Sequence, residues 1–133
     1  MSIQQPWAEL ILRGRKRFEL RTWTRDYRGP LVIHASGKVD SWAAWELGLN
    51  PEKLPTGAFV GVATVSDIRP YTREDARLLK ARRAGFGWFP YYFSWVLGKP
   101  RRISPVPAKG KLGLFKVPKA IERRIGRLVS AGR

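Results

Sequence analysis

The sequence predicts an α+β fold, a small mixed β-barrel of five to six strands with three to four short helices set between them. Three observations carry that expectation. The strand-like runs are unevenly spaced along the 133 residues, which does not suit regular βαβ alternation. The longest run contains Gly61, the kind of glycine that marks a bend or bulge where a sheet curls on itself. No glycine-rich phosphate turn follows a first strand, which argues against a parallel doubly wound sheet. A chain of this length is expected to be one domain, residues 1–133, able to bury its own core.

The elements follow in order. Trp7, Leu10 and Ile11 recur at helical spacing, with Pro6 suited to a first turn and Gly14 to the position past the end, so residues 6–13 read as a short helix. Residues 17–23 alternate charged and apolar side chains, a half-buried strand with Phe18 and Leu20 inward and Arg17, Glu19 and Arg21 outward. Gly29 and Pro30 mark the start of a central strand over residues 31–36. Asp40 can cap a helix carrying Trp42, Ala43, Trp45 and Leu49. Residues 58–68 form the longest strand, and Thr72 caps a helix over 73–83 that Ala84, Gly85, Phe86 and Gly87 break. Residues 89–97 alternate as a buried strand, and 101–106 and 112–117 read as two more. Pro118 opens a last helix with Ile121, Ile125, Leu128 and Val129 on one face and Lys119, Arg123 and Arg127 on another. Trp7, Trp42, Trp45 and Trp95 sit at apolar-periodic positions and are expected in the core. Trp23 and Trp88 are better placed to stack on a base.

Charge sets the partner class. There are 26 Lys and Arg against 10 Asp and Glu, a net charge of +16. Residues 1–75 carry 11 basic and 9 acidic side chains, whereas residues 76–133 carry 15 basic side chains and one acid, Glu122. Self-repulsion of this kind weakens a compact state, and a polyanion that releases counterions relieves it. The partner expected is RNA or single-stranded nucleic acid, with double-stranded DNA a further polyanion the same charge would fit. The residues expected to grip a phosphate backbone are Arg82, Arg83, Arg101, Arg102, Lys109, Lys111, Lys119, Arg123 and Arg127, in a basic series that runs on to Arg133. A membrane partner is not expected, because the aromatics are spread along the chain and do not anchor one basic helix. Cysteine is absent and His34 is the one histidine, which leaves no thiolate nucleophile, no sulfur-ligated zinc site and no His-pair metal site. No metal or other cofactor is expected. With neither a signal-peptide pattern nor a long apolar run, the chain is expected to be cytoplasmic.

One segment has chemistry beyond composition. Lys16 stands at a helix-to-strand turn, with Glu19 and Arg21 two residues apart on one strand face. A nucleotide could use all three: lysine pairs a phosphate, glutamate accepts from an exocyclic amine, and arginine stacks or forks onto an anionic group. The plainer alternative is an exposed face with ordinary ion pairs. Gln5-Pro6-Trp7-Ala8, then Gly14, Lys16, Glu19, Arg21 and Trp23, then Tyr27-Arg28-Gly29-Pro30 with Ile33-His34-Ala35, together resemble the ASCH (activating signal cointegrator 1 homology) domain family. Residues 57–67 resemble its central strand, and Pro107, Lys109, Gly110, Gly113, Leu114 and Phe115 its closing segment.

The resemblance implies a PUA-like β-barrel with a cleft beside the Gly14–Arg21 segment, in a superfamily that handles RNA. The family includes nucleic-acid-binding modules, a bacterial ribonuclease branch and small amidohydrolases acting on N4-acetylcytidine. In those amidohydrolases a lysine and a threonine are catalytic. Lys16 matches the lysine, Arg21 matches the arginine, and Glu19 stands where the threonine nucleophile would be. A carboxylate is a poor acyl acceptor beside an activated hydroxyl, so Glu19 argues against the amidohydrolase. The leading expectation is an RNA-binding domain whose cleft takes a nucleotide through Lys16, Glu19, Arg21, Trp23 and Ser36. The rival is a small metal-independent hydrolase, with Lys16, Glu19 and Asp67 catalytic and Tyr27, Ser36 or Ser94 assisting. A third reading is an interaction module for an acidic protein. His34 reads as a hydrogen-bonded structural residue, although alternation alone does not give its direction.

Overall fold

Among the described residues, 1–85 and 87–131 of a computed structural model, five strands and four helices form the predicted α+β architecture. In chain order they are β1 (Ser2–Gln5), α1 (Trp7–Leu12), β2 (Phe18–Arg21), β3 (Gly29–Val39), α2 (Ser41–Glu46), β4 (Ala58–Pro70), α3 (Arg73–Ala81), β5 (Phe93–Pro107) and α4 (Lys119–Ala131). Phe86 of the expected helix break and Arg133 of the last basic cluster lie outside the described residues. No helix among them is long and apolar enough to cross a membrane.

The strands make one sheet in the order β1-β3-β4-β5-β2, with β1 parallel to β3 and the other neighbours antiparallel. The sheet does not close into the barrel that the sequence predicts. Its edge strands β1 and β2 have four residues each and form no ladder with one another. One side chain spans the seam, Arg21 Nη2 donating to the Ser2 carbonyl at 2.8 Å. A charged side chain of β2, and not a ladder, thus bridges the two edges.

Helix α1 packs against β1, β3, β4 and β5 and buries Ala8, Leu10, Ile11 and Leu12. Gln5 starts it, its Oε1 accepting from the Glu9 amide at 2.9 Å while Nε2 donates to the Pro55 carbonyl at 3.0 Å. Gly61 behaves as expected. The β3–β4 and β4–β5 registers shift beside it, and a Cβ there would lie 2.3 Å from Leu12 Cδ2 and 2.5 Å from the Arg101 carbonyl oxygen. Only glycine lets the strand pass this close to α1 and β5.

Three expectations about elements change. The strands expected at 89–97 and 101–106 are one strand, β5, because a register shift between Val62 and Thr64 absorbs Lys99 and Pro100 without breaking the ladder to β4. Residues 112–117 are not a strand: Gly113 is left-handed at φ +69, and Leu114, Phe115 and Val117 pack on the core without a β partner. Trp95 is fully buried and Trp7 packs on two core clusters, but Trp42 and Trp45 are 75% and 61% exposed. Helix α2 turns Ala43 and Ala44 inward, so its two indoles face out.

The remaining helices anchor as the sequence suggests. Thr72 and Asp75 form a reciprocal capping box on α3. Helix α4 buries Ile125 and packs Ile121, Leu128 and Val129 against Phe59, Ile103 and Val106. Its basic residues are left on the surface.

Candidate functional site

After α1 the chain reverses at Gly14, which is left-handed at φ +75, and the amides of Arg15 and Lys16 both bond to the Leu10 carbonyl at 3.0 and 3.1 Å. This turn directs the Lys16 side chain along the start of β2. Its Nζ donates to the Phe18 carbonyl and, at 2.9 Å, to Glu19 Oε1. Glu19 Oε2 in turn pairs with Arg21 Nη2 at 2.8 Å. The expected outward direction of Glu19 is therefore corrected: Lys16 and Glu19 are each only 7% exposed. Burial along β2 does not alternate: Phe18 and Glu19 are buried, and Leu20 and Arg21 are half-buried.

Burial by itself would raise the Glu19 pKa, and the adjacent Lys16 and Arg21 cations outweigh it, holding the carboxyl below its ordinary range. Glu19 is thus an ionised acceptor with both oxygens engaged. That makes it a weak proton acceptor and a rigid spacer between two cations. Two of the three Lys16 N–H groups are directed at Phe18 and Glu19, and Arg21 Nε is buried with no hydrogen-bond partner among the described residues. The cluster has one net positive charge.

The open seam is a cleft of about 430 Å³. Across it Ser2, Ile3 and Gln4 of β1 face Glu19, Leu20 and Arg21 of β2. Lys16, Trp7 and Ser36 add to the lining, and Gly85, Gly87 and Phe89 from the loop after α3 form a further wall. Mixed apolar walls around a few convergent polar groups, at this size, are what a small-molecule or nucleotide site requires. A second depression of about 220 Å³ also touches Lys16 and is lined by Arg17 and Lys99. Sequence reasoning passed over Arg17 and Lys99 as site residues; the dense run Lys99, Arg101 and Arg102 was the available signal.

Of the residues singled out from sequence, Lys16, Glu19, Arg21 and Ser36 meet at the cleft. Trp23 does not line it: its ring packs edge-on against Trp95 at 5.1 Å, and the Arg25 guanidinium lies 4.8 Å from its centre. Trp88 donates to the Tyr71 carbonyl at 3.2 Å, and the Arg73 guanidinium lies 4.1 Å from its ring. Asp67 is also outside the lining and pairs with Arg28 at 2.7 Å. Ser94 donates to Asp75 at 2.9 Å, and the Tyr27 hydroxyl donates to the Pro30 carbonyl.

His34 is 1% exposed, with Nε2 2.7 Å from the Ala108 carbonyl and Nδ1 3.1 Å from Ser2 Oγ. A carbonyl can only accept, so Nε2 donates to Ala108, and Nδ1 lies within hydrogen-bond reach of the serine hydroxyl. The histidine is the structural residue expected. Gly110 lies over this pair, where a Cβ would come within 2.3 Å of Ser2 Oγ and 2.7 Å of His34 Cε1. Pro107–Gly110 is thereby tied to β1 and β3, directly behind the cleft.

The basic set divides in two. Arg102 forms a bidentate pair with the buried Glu9 at 2.8 and 2.7 Å, and Arg83 Nη2 donates to the Glu46 carbonyl at 2.6 Å. These two guanidiniums also anchor the fold. Arg82, Arg101, Lys109 and Lys111 are exposed, as are Lys119, Arg123 and Arg127 on α4.

Comparison with known proteins adds a lineage. Residues 1–107 match the ASCH domain family. Activating signal cointegrator 1 of mouse is 53% identical over 41 residues, and the human protein 49% identical over 41 residues; each alignment spans 31% of this chain and 7% of the cointegrator. Among solved structures, an ASCH protein from Zymomonas mobilis superposes with a TM-score of 0.66 at 15% identity, covering 96% of this chain and 92% of that one. A mutant form of the same protein gives 0.65 at 15% identity, with 96% and 95% covered.

Proposed function

Since the chain belongs to the ASCH domain family, commonly an RNA-binding one, we propose that it binds single-stranded RNA, holding one nucleotide in the cleft between β1 and β2. The observation that carries this reading is the open seam itself. A sheet that could close leaves its edges apart, and the gap holds a buried Lys16–Glu19–Arg21 cluster with an unsatisfied Arg21 Nε. Leaving such a donor buried and unpaired costs about 1 to 3 kcal/mol.

Arg21 and Lys16 supply donors, Glu19 fixes the two cations in place, and Ser36 adds a hydroxyl at the rim. Exposed cations elsewhere, above all Lys119, Arg123 and Arg127, hold the phosphate backbone without reading bases. The geometry favours binding over turnover, because Glu19 has both oxygens occupied and no second acid lines the cleft among the described residues.

A salt-dependent filter-binding assay with tRNA and single-stranded RNA is the direct test. Binding at low salt that weakens linearly with log salt is expected, and no binding to either RNA at low salt overturns the reading. Labelled RNA and N4-acetylcytidine incubated with the protein should both come through unchanged. A product that disappears in Lys16→Ala would establish the hydrolase instead.

A further inference from the structure

Trp42 and Trp45 are unaccounted for by the cleft. Two indoles at i and i+3 lie on one side of a helix, and here that side faces water, with 75% and 61% exposure. Paired exposed tryptophans on a small protein are uncommon unless something covers them. Their position is informative. Helix α2 follows β3, whose Ser36 lines the cleft, and a depression of about 170 Å³ beside α2 shares Trp7 and Gly85 with the cleft lining. The surface therefore runs from the proposed nucleotide site over Trp7 to the Ala43, Glu46 and Leu47 side of α2, next to the side that carries the two indoles.

Charge identifies the kind of partner. Arg83 lines that depression, held there by its bond to the Glu46 carbonyl, and exposed Arg82 and Lys38 stand nearby in the chain. Against them are Glu46, in the same lining, and Asp40, whose carboxylate is committed to the Ala43 amide at 3.0 Å. Exposed aromatic faces near cations are a recurring platform for unpaired bases, and a stacking contact tolerates any base.

We propose that Trp42 and Trp45 form a stacking platform for bases flanking the nucleotide in the cleft, so that the protein takes a short single-stranded segment along this path. The proposal rests on the reading of the cleft as a nucleotide site. The two fail separately.

The test uses the full chain with two probes, cytidine monophosphate and a fluorescein-labelled single-stranded RNA hexamer, at several salt concentrations. The double variant W42A/W45A should bind the hexamer about tenfold or more weakly, since each stacked base contributes on the order of tenfold. It should bind the mononucleotide as the parent does and keep the same salt slope, because stacking releases no counterions. W42F/W45F, which keeps aromatic faces, should recover most of the loss, and the melting temperatures of both variants should match the parent.

Hexamer affinity within twofold of the parent in W42A/W45A overturns the platform, as does a loss that changes the salt slope. The same unchanged affinity, together with a polypeptide that binds the parent and not the variant, would assign the face to a protein partner. Failure of the parent to bind the mononucleotide, with hexamer binding still dependent on the two tryptophans, would overturn the cleft reading and leave the platform standing.

Discussion

A carboxylate between two cations decides the character of the cleft. Glu19→Gln leaves Lys16 buried against a neutral partner, and breaking a buried pair in this way is expected to cost about 3 kcal/mol of stability, read by urea denaturation. Segment 14–21 was legible as a site because its residue types are unusual together, yet the direction of Glu19 was not. Alternation assigns one side per residue, whereas Lys16 reaches back from the preceding turn to cover the side that looked solvated. Behind the cleft, Gly110 has no room for a side chain against Ser2 and His34. Gly110→Ala should lower stability by about 1 to 3 kcal/mol, by overpacking, and a thermal melt would show it. A melt unchanged from the parent would mean that the Pro107–Gly110 segment is not held where the hydrogen bonds of His34 place it.

At the scale of elements, carboxylates tie helices to the sheet. Asp75 of α3 accepts from Arg69, Ser94 and the Thr72 amide, and Glu9 of α1 accepts from Arg102 and Arg13. Burial alone would raise both pKa values, but the hydrogen bonds and charges of these partners outweigh it and hold the carboxyls below their ordinary values of 3.8 and 4.5. The sign follows from the unfolded chain binding protons first. Stability is complete above about pH 4.5 and is lost as pH falls through the lower folded-state values. Asp75→Asn should flatten the acid limb of a melting-temperature profile between pH 7 and 3, at the expense of stability at pH 7. The Thr72 cap and the amphipathic α4 were readable because both are local patterns. The union of two strand runs into β5 was not, since it depends on β4 shifting register opposite Lys99 and Pro100.

For the whole molecule, the charge excess predicts a salt-dependent grip whose origin can be localised. Replacing Lys119, Arg123 and Arg127 together by Gln should reduce the slope of log affinity against log salt by about 2, since each phosphate contact to a single strand contributes about 0.7. The loss should be alike for unrelated RNA sequences, and a sequence-dependent loss would move these residues into base readout.

What the sequence determined by itself was the α+β class, the family motif from Gly14 to Arg21 and the excess of cations after residue 75. These are matters of composition, local period and short spacing. Tertiary structure alone decided that the sheet stays open between β1 and β2, that Glu19 turns into the gap, and that Trp42 and Trp45 turn away from the core. Each of those outcomes depends on which distant segment covers a given face, and a one-dimensional period does not contain that information. The barrel expected from the chain is an open sheet whose edge strands β1 and β2 form no ladder with one another, and the cleft lies between them.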